Sequence, residues 1–220
     1  MIGLGLGLAV CEGGGVVPGG DPAVKLWLRA DLGFDGTGWL DQSGSGKKFV
    51  PGVLPTLVAS GINGLPTLAG NGTSAALTCA TFSMPSQPFT VYIVAQMASQ
   101  ASVRGILSDA GGNCAIYANS ATTVAAFGNG GQDAVTHDAT AASVYRAVYT
   151  GDTGASFRAS PGNASHAGTI GWNGTGGLDL FSFAGTDFWD KWISEIIVRA
   201  GAPDAATEAY LSARYGITIP

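Results

Sequence analysis

The chain has 220 residues, a formal net charge of −5 and only 11% charged side chains, against about 25% in an ordinary soluble domain. Its 46% hydrophobic content can fill a sizeable core, so hydroxyl, amide and glycine groups, or partners, must cover the surface. Ten Lys and Arg, with Lys47–Lys48 the only adjacent pair, form no basic patch and exclude nucleic acid as a partner.

Residues 1–21 read as an extended Gly-rich arm ending in VVPGGDP. Its aliphatic residues Ile2, Leu4, Leu6, Leu8 and Val10 are expected to anchor the chain in a neighbour's sheet edge or groove. No Lys or Arg precedes this apolar start, and Val10 is a poor residue before Cys11, so neither signal cleavage nor lipidation is expected. The stretch is far short of the roughly 18 apolar residues of a spanning helix, and no membrane insertion is expected.

From residue 22 to 220 the chain reads as one all-β domain. Short strands alternate with turn signals. VKLWLRA sets Val24, Leu26, Leu28 and Ala30 on one face against Lys25, Trp27 and Arg29. FTVYIVAQM sets Phe89, Val91, Ile93, Ala95 and Met97 against Thr90, Tyr92, Val94 and Gln96. Further strands are expected in CAIYA, TTVAAF, VYRAVYT, ASFRAS, LDLFSF and WISEIIVR. Asn-Gly pairs at Asn63, Asn71, Asn129 and Asn173 supply tight turns, because both residues tolerate positive φ. One helix is expected near the end, with Asp204 as cap, Ala206, Tyr210 and Leu211 sharing a face, and Gly216 closing it. Cys11, Cys79 and Cys114 give no metal spacing. One Cys79–Cys114 bridge is conceivable, but buried free thiols are the simpler reading.

Five stretches in one order, LWLRADLG, WLDQSGSGKKF, PTLVASGINGLPTL, PFTVYIVAQ and SEIIVRAGAPDAATEAYLSARYGI, resemble the concanavalin A-like, LamG-type jelly-roll superfamily. The form is the one found in tailed-bacteriophage virion proteins and bacterial surface proteins. The resemblance implies an antiparallel two-sheet sandwich with the C-terminal helix laid against it. It also implies a structural turn at Trp39–Phe49, where Asp41 and Ser43 bond local amides and Gly44 and Gly46 allow positive φ. The expected role is a non-enzymatic virion component, a decoration, spike or fibre-like accessory on head or tail. Such a protein would dock to other virion proteins through its arm, assemble in the host cytoplasm and form symmetric homo-oligomers. The alternative is a lectin-like module that binds a host or cell-surface polysaccharide.

Other chemistries fit poorly. A P-loop needs Gly five residues before its Gly-Lys and Ser or Thr after it, where this chain has Asp41 and Lys48. A glycosidase needs two flanking carboxylates. The only glutamates are Glu12, Glu195 and Glu208, and Asp187 and Asp190 are wrongly spaced for one strand face. There is no G-x-S-x-G, and His137, between Asp133 and Asp138, reads as a solvated loop residue. By family analogy alone calcium could sit at Asp109 in LSDAGGN, although an Asp-initiated turn is preferred; no other cofactor is implied. Glycan binding needs an aromatic platform ringed by amides and hydroxyls. Trp172 with Asn173 is the first candidate and Trp189 the second. Trp27, Trp39 and Trp192 are expected in the core.

Overall fold

The structure, a computed structural model, describes residues 18–220 apart from 101, 130, 152–153, 162–163 and 175, and leaves the side chains of residues 164–166 aside. The expected anchors Ile2, Leu4, Leu6, Leu8 and Val10 lie outside the described residues, as do Cys11 and Glu12.

Two antiparallel sheets pack face to face. The first contains β1 (Val24–Arg29), β4 (Thr56–Val58), β5 (Thr67–Ala69), β7 (Phe89–Gln96), β12 (Ser143–Tyr149), β13 (Ala155–Ser160), β14 (Ala164–Gly168) and β16 (Trp192–Ala200). Its spatial order is β14-β13-β12-β7-β16-β5-β4, with β1 also paired to β16. The second contains β2 (Trp39–Leu40), β3 (Lys48–Val53), β6 (Ala76–Cys79), β8 (Arg104–Asp109), β9 (Ala115–Ala118), β10 (Thr123–Gly128), β11 (Gly131–Thr136) and β15 (Leu178–Leu180). Its order is β11-β10-β9-β8-β15-β6-β3-β2.

The alternation expected for Phe89–Gln96 decides the layering. Phe89, Val91, Ile93 and Ala95 face the inter-sheet core, while Tyr92 and Val94 lie in a second apolar cluster on the outer face. Helix α2 (Ala205–Tyr215) covers that outer face. A strand buried on both sides reads as a near-continuous apolar run, and only one residue of β7, Gln96, is not fully buried.

Two β-bulges correct the simple period-2 reading. The register of β1 shifts between Val24 and Leu26, so Val24 joins Trp27 under the helix while Leu26 and Leu28 face the sheets. The register of β16 shifts between Ile193 and Glu195. Ile193, Ile196 and Val198 therefore face the inter-sheet core, and Ile197 faces the helix.

Glu195 also points outward and becomes fully buried beneath α2. Trp27 Nε1 donates to its Oε1 at 2.6 Å. The Tyr210 and Tyr215 hydroxyls donate to Oε1 at 3.0 Å and Oε2 at 2.7 Å. Arg214 Nε stands 3.6 Å from Oε2, and its Nη2 reaches Asp31 at 2.8 Å, which also pairs with Arg29 at 2.7 Å. Burial pushes the Glu195 carboxyl above its ordinary value, opposed by the Tyr215 and Trp27 bonds and by the two arginines. A buried carboxylate persists only with such a full set of donors. The arrangement ties the helix to the middle of the sheet.

The helix is capped as expected. The Asp204 carboxylate accepts from Thr207 N at 2.8 Å and from its hydroxyl, and Gly216 adopts φ 65°. Thr207, Tyr210, Leu211 and Tyr215 form the buried face, whereas Ala206 is exposed. A four-residue helix α1 (Ala30–Gly33) follows β1; a single turn shows no periodicity to read.

The Trp39–Val50 segment is structural. Trp39 is fully buried. The Asp41 carboxylate accepts from the backbone amides of Trp27, Ser43 and Ser45 and from both serine hydroxyls. Gly44 and Gly46 have positive φ. Cys79 and Cys114 are buried and unbridged. No helix among the described residues is long and apolar enough to cross a membrane.

Candidate functional site

A groove of about 330 Å³ opens at one end of the sandwich. Its walls are the loop leaving β6 and the loop leading into β15, which are neighbours because Cys79 pairs with Leu178. The first loop contributes Thr81, Phe82, Ser83, Met84, Ser86 and Gln87, and the second contributes Trp172, Gly174, Gly176 and Gly177. Phe82 is buried, whereas Thr81, Ser83 and Ser86 are exposed. The volume lies at the small end of the roughly 300–1,000 Å³ of ordinary ligand pockets, enough for the end of a glycan rather than a long stretch of one.

The described part of the second loop is tied to the first. Gln87 forms a reciprocal pair with the Trp172 backbone: its Nε2 donates to Trp172 O, and its Oε1 accepts from Trp172 N, both at 3.0 Å. The half-buried Trp172 ring packs in T-shaped contacts on Tyr149 at 5.3 Å and Phe89 at 6.2 Å. Two close approaches require glycine. A Cβ on Gly174 would lie 2.5 Å from Asp109 Cβ and 2.8 Å from Trp172 Nε1. One on Gly177, at φ 97°, would lie 2.3 Å from Cys79 O.

The expected glycan-binding residues separate. Trp172 lines the groove. Asn173 is exposed but does not line the groove: its Oδ1 accepts from the Cys114 thiol at 3.1 Å, and its backbone N donates to that sulfur at 3.3 Å. Burial pushes the Cys114 thiol up, which keeps it a donor. Trp189, expected as a second platform, is fully buried in the inter-sheet core instead. Its Nε1 donates to Trp192 O at 3.3 Å, so the ring cannot reach a ligand. Trp27 and Trp39 are buried as expected, and Trp192 is partly buried at the edge of the helix cluster, with Lys191 Nζ 4.5 Å above its ring.

The remaining candidates serve the scaffold. Asp109 is buried at the end of β8 and initiates a turn, accepting from Cys114 N at 2.7 Å and Gly111 N at 3.2 Å. Glu208 pairs with Arg146 at 2.7 Å, and Asp190 accepts from Ala98 N at 3.1 Å. His137 is half-buried rather than solvated: it shares a 2.7 Å bond with Ser143 Oγ and stands edge-on to Tyr145. Burial lowers its pKa, with Asp138 opposing. Among the described residues no group of three His, Cys, Asp or Glu could hold a metal.

No protein-family model and no curated protein matches the chain. Solved structures do match in fold. Trypanosoma rangeli sialidase in complex with 2,3-difluoro-KDN superposes with a TM-score of 0.62 at 10% identity, over 88% of this chain and 33% of that one. A structure of botulinum neurotoxin type C, whose cell entry depends on interaction with two ganglioside molecules, gives 0.60 at 10% identity, over 88% and 51%. The binding domain of botulinum neurotoxin DC, in complex with SialylT, gives 0.58 at 10% identity, again over 88% and 51%. The chain thus spans a third of the sialidase and about half of the toxin chains. At this identity the likeness is one of fold, a jelly-roll-like β-sandwich.

Proposed function

We propose that the protein is a glycan-binding module whose site is the Trp172 groove. The observation that carries this reading is the groove's make-up: a partly exposed indole, packed on Tyr149 and Phe89 and held through its backbone by Gln87, shares the groove with a loop of hydroxyls. Sugars present apolar C–H faces to aromatic rings and hydroxyls to polar rims. No carboxylate lines the groove among the described residues, which favours binding over hydrolysis. The ganglioside-dependent cell entry of botulinum neurotoxin type C and the SialylT complex of the DC binding domain support a glycan role for a sandwich of this kind. A glycan array probed with the protein and its Trp172→Ala variant tests the reading. Binding by the parent that the variant loses supports it, and the absence of any glycan ligand overturns it.

A place on a tailed-phage particle is the second reading. It is supported by the five resembling stretches and the sparse charge, and the groove would then face the host surface. Residues 1–21 would anchor the chain to other virion proteins, as a homo-oligomer. Purified virions that retain the full chain but not a variant lacking residues 1–21 would support this placement. Equal retention of both, or of neither, would refute it.

A further inference from the structure

We infer that the groove selects uncharged sugar, the neutral hexose or N-acetylhexosamine end of a glycan, and discriminates against sialylated and uronate-bearing chains. The inference rests on the glycan reading of this groove and adds its substrate class. None of the described residues that line the groove is charged; the polar side chains are Thr81, Ser83, Ser86 and Gln87. An anionic sugar would therefore lose hydration without gaining a guanidinium or ammonium partner.

The surroundings act in the same direction. Asp109 stands directly behind Gly174 in the groove wall. It accepts from the amides of Cys114 and Gly111 and from Asn113 Nδ2 at 3.3 Å. Lys47 Nζ, which donates to Thr81 O at 2.9 Å and to the Thr81 hydroxyl beside the groove, is the exception: both acceptors are neutral, so these bonds do not offset its charge. The net charge of −5 repels anionic chains at longer range.

The test is calorimetric titration of the full-length protein with neutral glycans and with the sialylated form of each, at physiological and at raised salt. Neutral glycans should bind at least tenfold more tightly. Ser83→Lys, a change at an exposed wall position, should narrow that gap at physiological salt and lose the gain at raised salt. Equal or tighter binding of sialylated glycans, abolished by Trp172→Ala, overturns the charge selectivity and leaves the glycan site standing. A gap that Ser83→Lys does not alter also overturns it, because wall charge would not then set the preference. Binding of neither class refutes the glycan reading itself.

Discussion

The cluster under α2 and the groove at the sandwich end use similar parts and use them differently. Under the helix, Trp27, Tyr210 and Tyr215 all donate inward to one buried carboxylate. In the groove Trp172 is held by its backbone through Gln87, and the hydroxyls of Ser83 and Ser86 lie on exposed residues. Polar groups whose hydrogen bonds are closed within the chain specify architecture; those left facing water remain available to a ligand. The difference explains why the aromatic-rich polar cluster around Glu195 is not the candidate site.

The largest effect that separates the two regions should come from Glu195→Ala. It strands three donors and leaves Arg214 without its buried partner, and should cost about 3–5 kcal/mol in chemical denaturation, while folded protein keeps its glycan affinity. Trp172→Ala should do the reverse, abolishing measurable glycan binding at a stability cost of about 1.5–3 kcal/mol. If Glu195→Ala removed binding from the folded fraction, the division of roles would fail. Gln87→Ala should lie between them, losing two bonds worth about 1 kcal/mol each and weakening binding by freeing the Trp172 loop.

A pH series sharpens the contrast further. The Glu195 carboxyl has a raised native pKa relative to its ordinary 4.5. Its contribution to stability is therefore full below 4.5 and is lost as pH rises through the native value. The stability of the parent protein relative to Glu195→Gln should fall across that interval and be flat on either side. Asp204 has the opposite sign, because the Thr207 backbone bond holds its carboxyl low. Asp204→Ala should cost about 1 kcal/mol near neutrality. That cost should vanish as pH drops through the lowered native value of Asp204.

The sequence made local features legible and left the distant ones hidden. The period-2 pattern of Phe89–Gln96, the Asp204 and Gly216 caps and the Asp41 turn are set by neighbours within a few residues, so residue type and spacing reveal them. The role of Glu195 depends on Trp27, 168 positions away, and on a bulge that leaves no composition signal. A single Glu inside the otherwise apolar SEIIV was the available clue, since such a residue survives burial only when fully bonded. Trp172 could be singled out because its Gly-rich loop placed it outside any strand. Its opposite wall, Thr81–Gln87, reaches it only through the pairing of β6 with β15. Trp189, expected as a second platform, is turned into the core by the fold while Asp187, two residues earlier, stays at the surface, a difference that residue type and spacing do not encode.

The position of β16 has a consequence for synthesis. This strand joins β7 to both β1 and β5, yet it spans Trp192–Ala200 near the end of the sequence. A nascent chain that has not yet added β16 therefore holds three parts of the first sheet, β1, β4–β5 and β7 with β12–β14, without the strand that unites them and with apolar faces open to water. The closing pairings and the Glu195 bonds to Tyr210 and Tyr215 form only once residues 192–215 have emerged. Folding of this domain is thereby tied to synthesis of β16 and α2, and termination before α2 should yield a species bound for chaperones or proteases rather than a smaller working domain.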